Sequence, residues 1–389
     1  MRILNVIPTI DPTAGGTVEC VRQLYPFMAL QQHRWEVVTF DSPTADFLIQ
    51  CPFPVHALGR SKTAYQYHSE FIPWLRAHRS NYDVVIIHGI WTFHSFGTWQ
   101  AIHKHLPYLV YPHGMLDPYF KRAFPLKHLK KHLFWHWSDY RVLRDATAVC
   151  FTCEEEKVLA RHSFSRYICN EKVVGLGTAP PPDDVENQKT AFFQAFPHLK
   201  DTPYLLFMSR IHPKKGLDLL LKAVGELRRL KQWPQEYHLV IAGPDGVGWR
   251  AELEKLAEEE FSSRLTWTGM LSGDMKWGAL RNAEAFILPS HQENFGIVVA
   301  EALACGLPVL ISDKVNIWRE IEAAKAGFVS PDTQQGTIDL IQKWLEAPTE
   351  LKAKMSTNAK LCFAENFEIQ RAAHSLLDLI QSSLVQDAN

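Results

Sequence analysis

The sequence is short of the features that would set it apart from ordinary globular chains. Its longest apolar stretch, Ile297 to Ile311, is broken by Glu301, Gly306 and Pro308, so nothing reads as a membrane span. The run that opens at Met1 is cut by Pro8 and Asp11, so no secretory leader is expected. Only seven cysteines are scattered over 389 residues. That odd, thin distribution fits reduced thiols in the cytoplasm better than a disulfide frame. Cys150 and Cys153 form a C-x-x-C with no second pair; the expectation is two small residues at a strand–helix junction, not a zinc site. Neither sign of charge dominates, since 41 Lys and Arg against 42 Asp and Glu leave a net charge of −1. A chain whose main cargo is nucleic acid usually carries a basic excess.

What is present is an ordinary mix, 46% hydrophobic and 21% charged, long enough for two or three domains. Short apolar runs alternate with helical patterns throughout, which predicts α/β structure with parallel sheets. Expected strands are Ile3–Ile7, Glu36–Phe40, Val84–His88, Leu109–Tyr111, Ala148–Phe151 and Lys172–Val174. In the second half they are Tyr204–Met208, His238–Ala242, Leu265–Thr268, Ala285–Leu288 and Val309–Ile311. The halves open alike, strand then loop then amphipathic helix, after Ile3–Ile7 and again after Tyr204–Met208. Each half therefore reads as a doubly wound, Rossmann-like unit. Gly175 to Pro203, with three consecutive prolines and no periodicity, reads as the linker. The tail from Thr349 to Leu384 is expected to be helical and, with Leu376, Leu377 and Ile380 on one face, to return to the first unit. The domains expected are 1–178 with helix 369–389, and 179–368, facing a deep cleft.

Ligands of such sheets sit beyond the carboxyl ends of the strands, and three segments there carry chemistry. Phe286 to Cys305 reads as strand, tight loop and helix, with Glu293 in the loop and Glu301 eight residues on. A helix start offers unpaired N–H groups to a phosphate or a sugar hydroxyl. Ser209 to Gly216 places Arg210 and Lys215 in a similar loop, a fork and a mobile point charge that suit a diphosphate. No Asp-x-Asp pair occurs, so the usual carboxylates for a divalent ion on a diphosphate are missing and no metal is expected. His113 follows the strand ending at Tyr111. Gly15-Gly16 does not match G-x-G-x-x-G.

Taken together and in this order, these residues resemble a known family. Glu293-Asn294-Phe295-Gly296-Ile297-Val298-Val299-Ala300-Glu301 is similar to the E-x7-E signature of retaining GT-B glycosyltransferases of family 4 (glycosyl transferases group 1). The Gly-Gly loop, the Arg and Lys of the second domain's first loop and the His-Gly pair stand in the family's order. The resemblance implies a GT-B fold and retaining transfer of a hexose from a nucleotide sugar, UDP-linked such as UDP-glucose, to a sugar hydroxyl. The acceptor class implied is a growing polysaccharide or a lipid-linked glycan. By resemblance Arg210 and Lys215 hold the diphosphate, Glu301 the ribose and Glu293 the donor sugar. Backbone N–H groups of Phe295, Gly296 and Ile297 meet sugar or phosphate, and Met270 and Leu271 lie along the nucleobase. Gly15 and Gly16 admit the phosphate and acceptor, and His113 hydrogen-bonds the donor sugar. No cofactor or metal is implied. Two other readings fit the same residues: a non-catalytic nucleotide-sugar binder, and a GT-B-like epimerase.

The first half holds most of the histidine and much aromatic residue, and its loops Thr63–Glu70 and Trp91–Thr98 are where an acceptor would lie. Lys121 to Trp137 is basic and aromatic, with Leu126, Leu129, Leu133 and Trp137 on one helical face and Pro125 in the first turn. Such a helix can rest on an anionic membrane surface, on the cytoplasmic inner face; it can equally pack that stripe on its own sheet. Thr152 to Glu155 reads as a capping box.

Overall fold

The computed structural model describes residues 1–260 and 264–386, apart from the side chains of 258–260 and 386. The chain forms two compact units, Met1–Ala179 with the segment from Ile369, and Pro180–Glu368. The first is built on β1 (Arg2–Val6), β2 (Arg34–Thr39), β3 (Val55–Ala57), β4 (Val84–His88), β5 (Tyr108–Tyr111), β6 (Ala148–Phe151) and β7 (Glu171–Val173). They pair in the order β3-β2-β1-β4-β5-β6-β7, every pair parallel. The central strands β4, β5 and β6 are buried along their whole length, as their near-continuous apolar character requires of strands covered on both faces.

The second unit is built on β8 (Tyr204–Met208), β9 (His238–Ala242), β10 (Leu265–Gly269), β11 (Ala285–Leu288), β12 (Val309–Ser312) and β13 (Gly327–Ser330). Its order is β10-β9-β8-β11-β12-β13, again all parallel. In both sheets the winding reverses beside the first strand, between β1 and β4 and between β8 and β11. At such a point the loops leaving the two strands part and open a crevice at their carboxyl ends.

Three elements differ from the sequence expectation. The short strands β3 and β13 were not expected; Val-His-Ala and Gly-Phe-Val-Ser are three and four residues of mixed character that carry little pattern. The expected irregular linker instead contains a helix, Val185–Ala195. Only Gln188 and Phe192 of this helix are buried, too few to mark an apolar face. It docks on the helix Gly273–Asn282, where a Cβ added at Gly278 would lie 2.1 Å from the carbonyl oxygen of Gln188. Arg281 Nε also donates to Gln188 Oε1 at 2.7 Å. The tail is two helices, Thr349–Asn366 and Ile369–Gln386. The second buries Leu376, Leu377 and Ile380 and packs on the first unit's helix Gly16–Leu30. Among the described residues no helix is long and apolar enough to cross a membrane.

The Gly278 contact gives a direct test. Gly278→Ala pushes a methyl group into the backbone of the neighbouring helix, so it should lower unfolding free energy by about 1–3 kcal/mol, the usual cost of overpacking. Denaturant titration of the two proteins measures this, and equal midpoints would show the close approach to be unimportant.

Candidate functional site

In the second unit the β8–β11 pairing sets two loops side by side. The loop after β8 runs through Arg210 and His212, turns at Pro213–Lys215 and enters the helix Leu217–Arg229. The loop after β11 runs from Pro289 to Gly296 and enters the helix Ile297–Ala304. The Lys214 carbonyl accepts from His291 N and from Ser290 Oγ, each at 2.8 Å. Gly216 sits at φ 66°, and a Cβ there would fall 2.0 Å from Pro289 O, so only glycine lets the loops touch. This stitching carries Lys215 Nζ to Glu293 Oε2, where the two side chains form an ion pair. Lys215 is buried and Glu293 half-buried. Glu293 is held in turn by its own backbone: its N donates to Lys314 O at 2.9 Å and its O accepts from Asn316 N at 3.0 Å.

Glu301, one turn into the next helix, is buried and paired through Oε1 with Lys276 Nζ at 2.8 Å. Lys276 comes from the helix after the loop Gly269–Ser272 and also lies over the Trp277 ring at 4.1 Å. In that loop Met270 is exposed and Leu271 buried. Gly296 caps the helix at φ 75°, a left-handed turn that glycine adopts at no steric cost. Phe295 turns inward, edge-on to Phe367 at 5.7 Å between ring centres. Its side chain is thus part of the core, while the N–H groups of a helix start remain. Arg210 is exposed.

In the first unit Gly15 caps the helix Gly16–Leu30 at φ 94°, with open space where a Cβ would be. The loop before it is tied down by Asp41, which accepts from Thr9 Oγ1 at 2.6 Å and from Ile10 N at 2.8 Å. His113, just past β5, is half-buried and left-handed at φ 51°. The loop keeps that shape because Gly114 N donates to Glu156 Oε1 at 2.5 Å, while Glu156 Oε2 accepts from Thr152 N and Oγ1 at 2.7 Å. The capping box therefore sits one residue later than the sequence pattern places it. Cys153 is the N-cap, and the buried carboxylate reaching back is Glu156, because it must also serve Gly114. His113 Nε2 meets His88 Nδ1 at 3.1 Å, and His88 Nε2 meets Asn5 Oδ1 at 3.0 Å. Burial pushes His113 and His94 down to about 4 and His88 well below its usual 6.5, so all three imidazoles are neutral at pH 7.

Comparison with known proteins bears on this arrangement. Residues 188–361 match the family described as Glycosyl transferases group 1, and residues 15–169 match Glycosyl transferase 4-like domain. Both matches are to glycosyltransferase families, one in each unit of the chain. A relative, alpha-D-kanosaminyltransferase of Streptomyces kanamyceticus, is 31% identical over 180 residues, 46% of this chain and 45% of that protein. The chain thus aligns with under half the length of that relative. Over whole folds the chain is similar to sucrose-phosphate synthase from Thermosynechococcus elongatus, with TM-score 0.75, 19% identity and full coverage of both chains. It is also similar to HepE of Anabaena in complex with UDP-glucose, with TM-score 0.74 and 17% identity over 98% of this chain and 100% of that one. The two-sheet GT-B architecture is shared with these structures.

The structure joins Lys215 directly to Glu293, and brings Glu301 to a partner that the sequence reading did not single out, Lys276. That lysine follows the loop Gly269–Ser272 by one helical turn, which was the available signal. His88 and Asn5 were also missed, though both lie on β4 and β1 at the switch point. The helix Pro125–Trp135 is separate from a short one, Tyr119–Ala123. Its leucine stripe does not pack on the sheet. Leu126, Leu129 and Leu133 are 77%, 58% and 69% exposed, and Trp135 on the far side is the buried anchor.

Histidines held neutral make stability depend on acid. The unfolded chain takes up protons near pH 6.5 and the folded one only near 4, so stability is complete above about 6.5 and is lost as pH falls toward 4. The slope should approach roughly 1.4 kcal/mol per pH unit for each such histidine. Denaturant midpoints measured between pH 7.5 and 4.5 check this; a flat profile would show the imidazoles to be charged or solvated.

Proposed function

We propose that this protein is a retaining glycosyltransferase that moves a hexose from a nucleotide sugar to a sugar hydroxyl of a polysaccharide or lipid-linked glycan. The donor proposed is UDP-linked, with UDP-glucose as the example, which is the ligand named for the Anabaena relative. The observation that carries the reading is the Lys215–Glu293 ion pair at the switch point of the second sheet. A diphosphate can take over the ammonium of Lys215, and the hydroxyls of the donor sugar can take over the carboxylate of Glu293. One ligand thereby replaces both partners without leaving either charge unpaired, which would be costly where water is scarce. Arg210, exposed nearby in the same loop, adds a second cation for the leaving nucleotide. On this reading Glu301, paired with Lys276 one turn into the next helix, takes the ribose hydroxyls. The cations supply the charge that a metal supplies elsewhere, so turnover is expected to survive a chelator.

Glu293→Gln keeps the shape and loses the charge, and Arg210→Ala removes the exposed cation. Each should lower kcat/KM by about 10²-fold or more, the range found when a charge-stabilising group is removed. Turnover of UDP-glucose with a panel of sugar acceptors, in the presence of EDTA, reads this out. A silent nucleotide-sugar binder would bind without turnover in the parent protein, and an epimerase would convert the donor with no acceptor present.

A lipid-linked acceptor is supported by the helix Pro125–Trp135. From Tyr119 to Trp137 there are five Lys and Arg and no carboxylate. Lys121, Arg122, Lys127 and Lys130 are exposed around the leucines. Lys131 is turned inward over the Trp91 ring at 4.4 Å. On this reading the leucines enter a bilayer and the outer cations select an anionic one. The protein should sediment with phosphatidylglycerol vesicles and not with phosphatidylcholine alone. Lys127→Gln with Lys130→Gln should weaken binding by about 30-fold, at roughly 1 kcal/mol per cation. Equal recovery with both vesicle types, or with neither, would remove this support.

A further inference from the structure

The hydrogen-bond chain Asn5–His88–His113 can be ordered from one end, because one end is a backbone carbonyl. Asn5 Nδ2 donates to Glu36 O at 3.2 Å, and a carbonyl only accepts. That fixes the amide: Nδ2 faces β2, so Oδ1 faces His88. At 3.0 Å Oδ1 must receive a proton, so His88 Nε2 carries one. A neutral imidazole has a single N–H, which leaves His88 Nδ1 bare. The atom facing that bare nitrogen at 3.1 Å is His113 Nε2, which must therefore be the donor. His113 then has its own Nδ1 bare. The opposite direction would oppose Asn5 Oδ1 to a lone pair, or turn the amide and oppose two carbonyl oxygens inside the sheet. His94 does not disturb the chain. Its Nε2 donates to His88 O and Gly89 O at 3.0 and 3.1 Å, and its Nδ1 lies 2.7 Å from Thr92 Oγ1.

We propose that Asn5 and His88 are positioning residues that lock His113 as the Nε2–H tautomer, so that its Nδ1 accepts a hydrogen bond from a hydroxyl of the transferred sugar. Among the described residues no protein group is recorded within hydrogen-bond distance of that nitrogen, and the His113 side chain is half-buried. The ligand group it takes is thus an O–H donor, not a phosphate or a ring oxygen, either of which would require an N–H. Burial keeps the chain neutral, as the lowered values of His88 and His113 require. The ring of His113 is further held by stacking, its centre 5.4 Å from His88 and 5.6 Å from Tyr111. The tautomer assignment stands on the hydrogen bonds alone, whereas the sugar hydroxyl rests on the glycosyl-transfer reading above.

The test separates the two. Two-bond 15N–1H correlation of the 15N-labelled full chain at pH 7 shows which ring nitrogen is protonated. His88 and His113 should both show Nε2–H, and an Nδ1–H or charged His113 overturns the proposal. His88→Asn puts an amide oxygen near the place of Nδ1 and should keep His113 in its Nε2–H form. His88→Leu has no acceptor and should leave His113 a mixture of tautomers; an unchanged single tautomer would mean that His88 does not set it. With a turned-over donor, His88→Leu should lower kcat about 10-fold with KM little changed, and His88→Asn should restore most of it, the scale of one misdirected hydrogen bond. Donor analogues with one hydroxyl at a time replaced by fluorine, which cannot donate, find the partner. One position should be discriminated about 10-fold more strongly by the parent than by His113→Ala, and equal discrimination at every position overturns the acceptor role. If no nucleotide sugar is turned over, the functional reading fails while the spectra still decide the tautomer.

Discussion

Parallel pairing at the two switch points is the constraint on which the rest of this protein depends. A side chain of Lys215 and one of Glu293 are 78 positions apart in sequence, and nothing local would bring them together. The β8–β11 ladder does, but only to within loop distance. The last step is made by backbone: the Lys214 carbonyl, receiving two hydrogen bonds from the opposite loop, and Gly216, which has no room for a side chain. Once the loops are so stitched, a buried ammonium has to find an anion, because leaving it alone costs several kcal/mol. The resting ion pair is a consequence of the fold, and its exchangeability is what the proposed chemistry uses.

The first unit solves the same topological problem with different physics. At its switch point the polar side chains of β1 and β4 lie deep in the sheet, where an ion would be expensive and a neutral hydrogen bond is strong. Asn5 and His88 are both buried, and each can be satisfied by the other only in one proton arrangement. Direction in the chain comes from a main-chain carbonyl of a third strand, which cannot change its role. The unit at whose crevice ions sit has mobile, exchangeable charges; the unit with the neutral chain has a fixed polarity.

Legibility in the sequence followed the same division. The strands that line the switch points were readable because two covered faces demand unbroken apolar runs, and their loops stood out because Gly, Arg, Lys and Glu collect at the carboxyl ends. Of the four edge strands β7 and β10 were readable and β3 and β13 were not, since Val-His-Ala and Gly-Phe-Val-Ser are too short and mixed to show a pattern. The helix Val185–Ala195 was hidden for a related reason: its packing rests on two side chains and on a glycine in another helix. Partners were the least readable part. Lys276 for Glu301, His88 for His113 and Glu156 for Gly114 are each set by tertiary approach, 25, 25 and 42 residues away. The identity of the residues pointed to chemistry, but which atom faces which required coordinates.

The helix Pro125–Trp135 was the one case where the sequence offered two packings and the fold chose the less economical one in water. Trp135 is the side chain this helix buries, hydrogen-bonding the Ser165 carbonyl at 3.1 Å and stacking on Phe164 at 4.6 Å. Anchoring the helix through a single large ring leaves the leucines on the far side with nothing to cover them. Covering one leucine is worth about 1.5–3 kcal/mol, so three uncovered together amount to a driving force of several kcal/mol for whatever surface meets them. The surrounding cations are too few to hold the protein on a charged surface by themselves at physiological salt, where each adds about 1 kcal/mol and is screened within a Debye length of about 8 Å. Apolar area would therefore supply most of the affinity and charge most of the choice. Lys131, drawn over Trp91, takes part in neither: it helps keep the helix against the unit, and so keeps the leucines facing out.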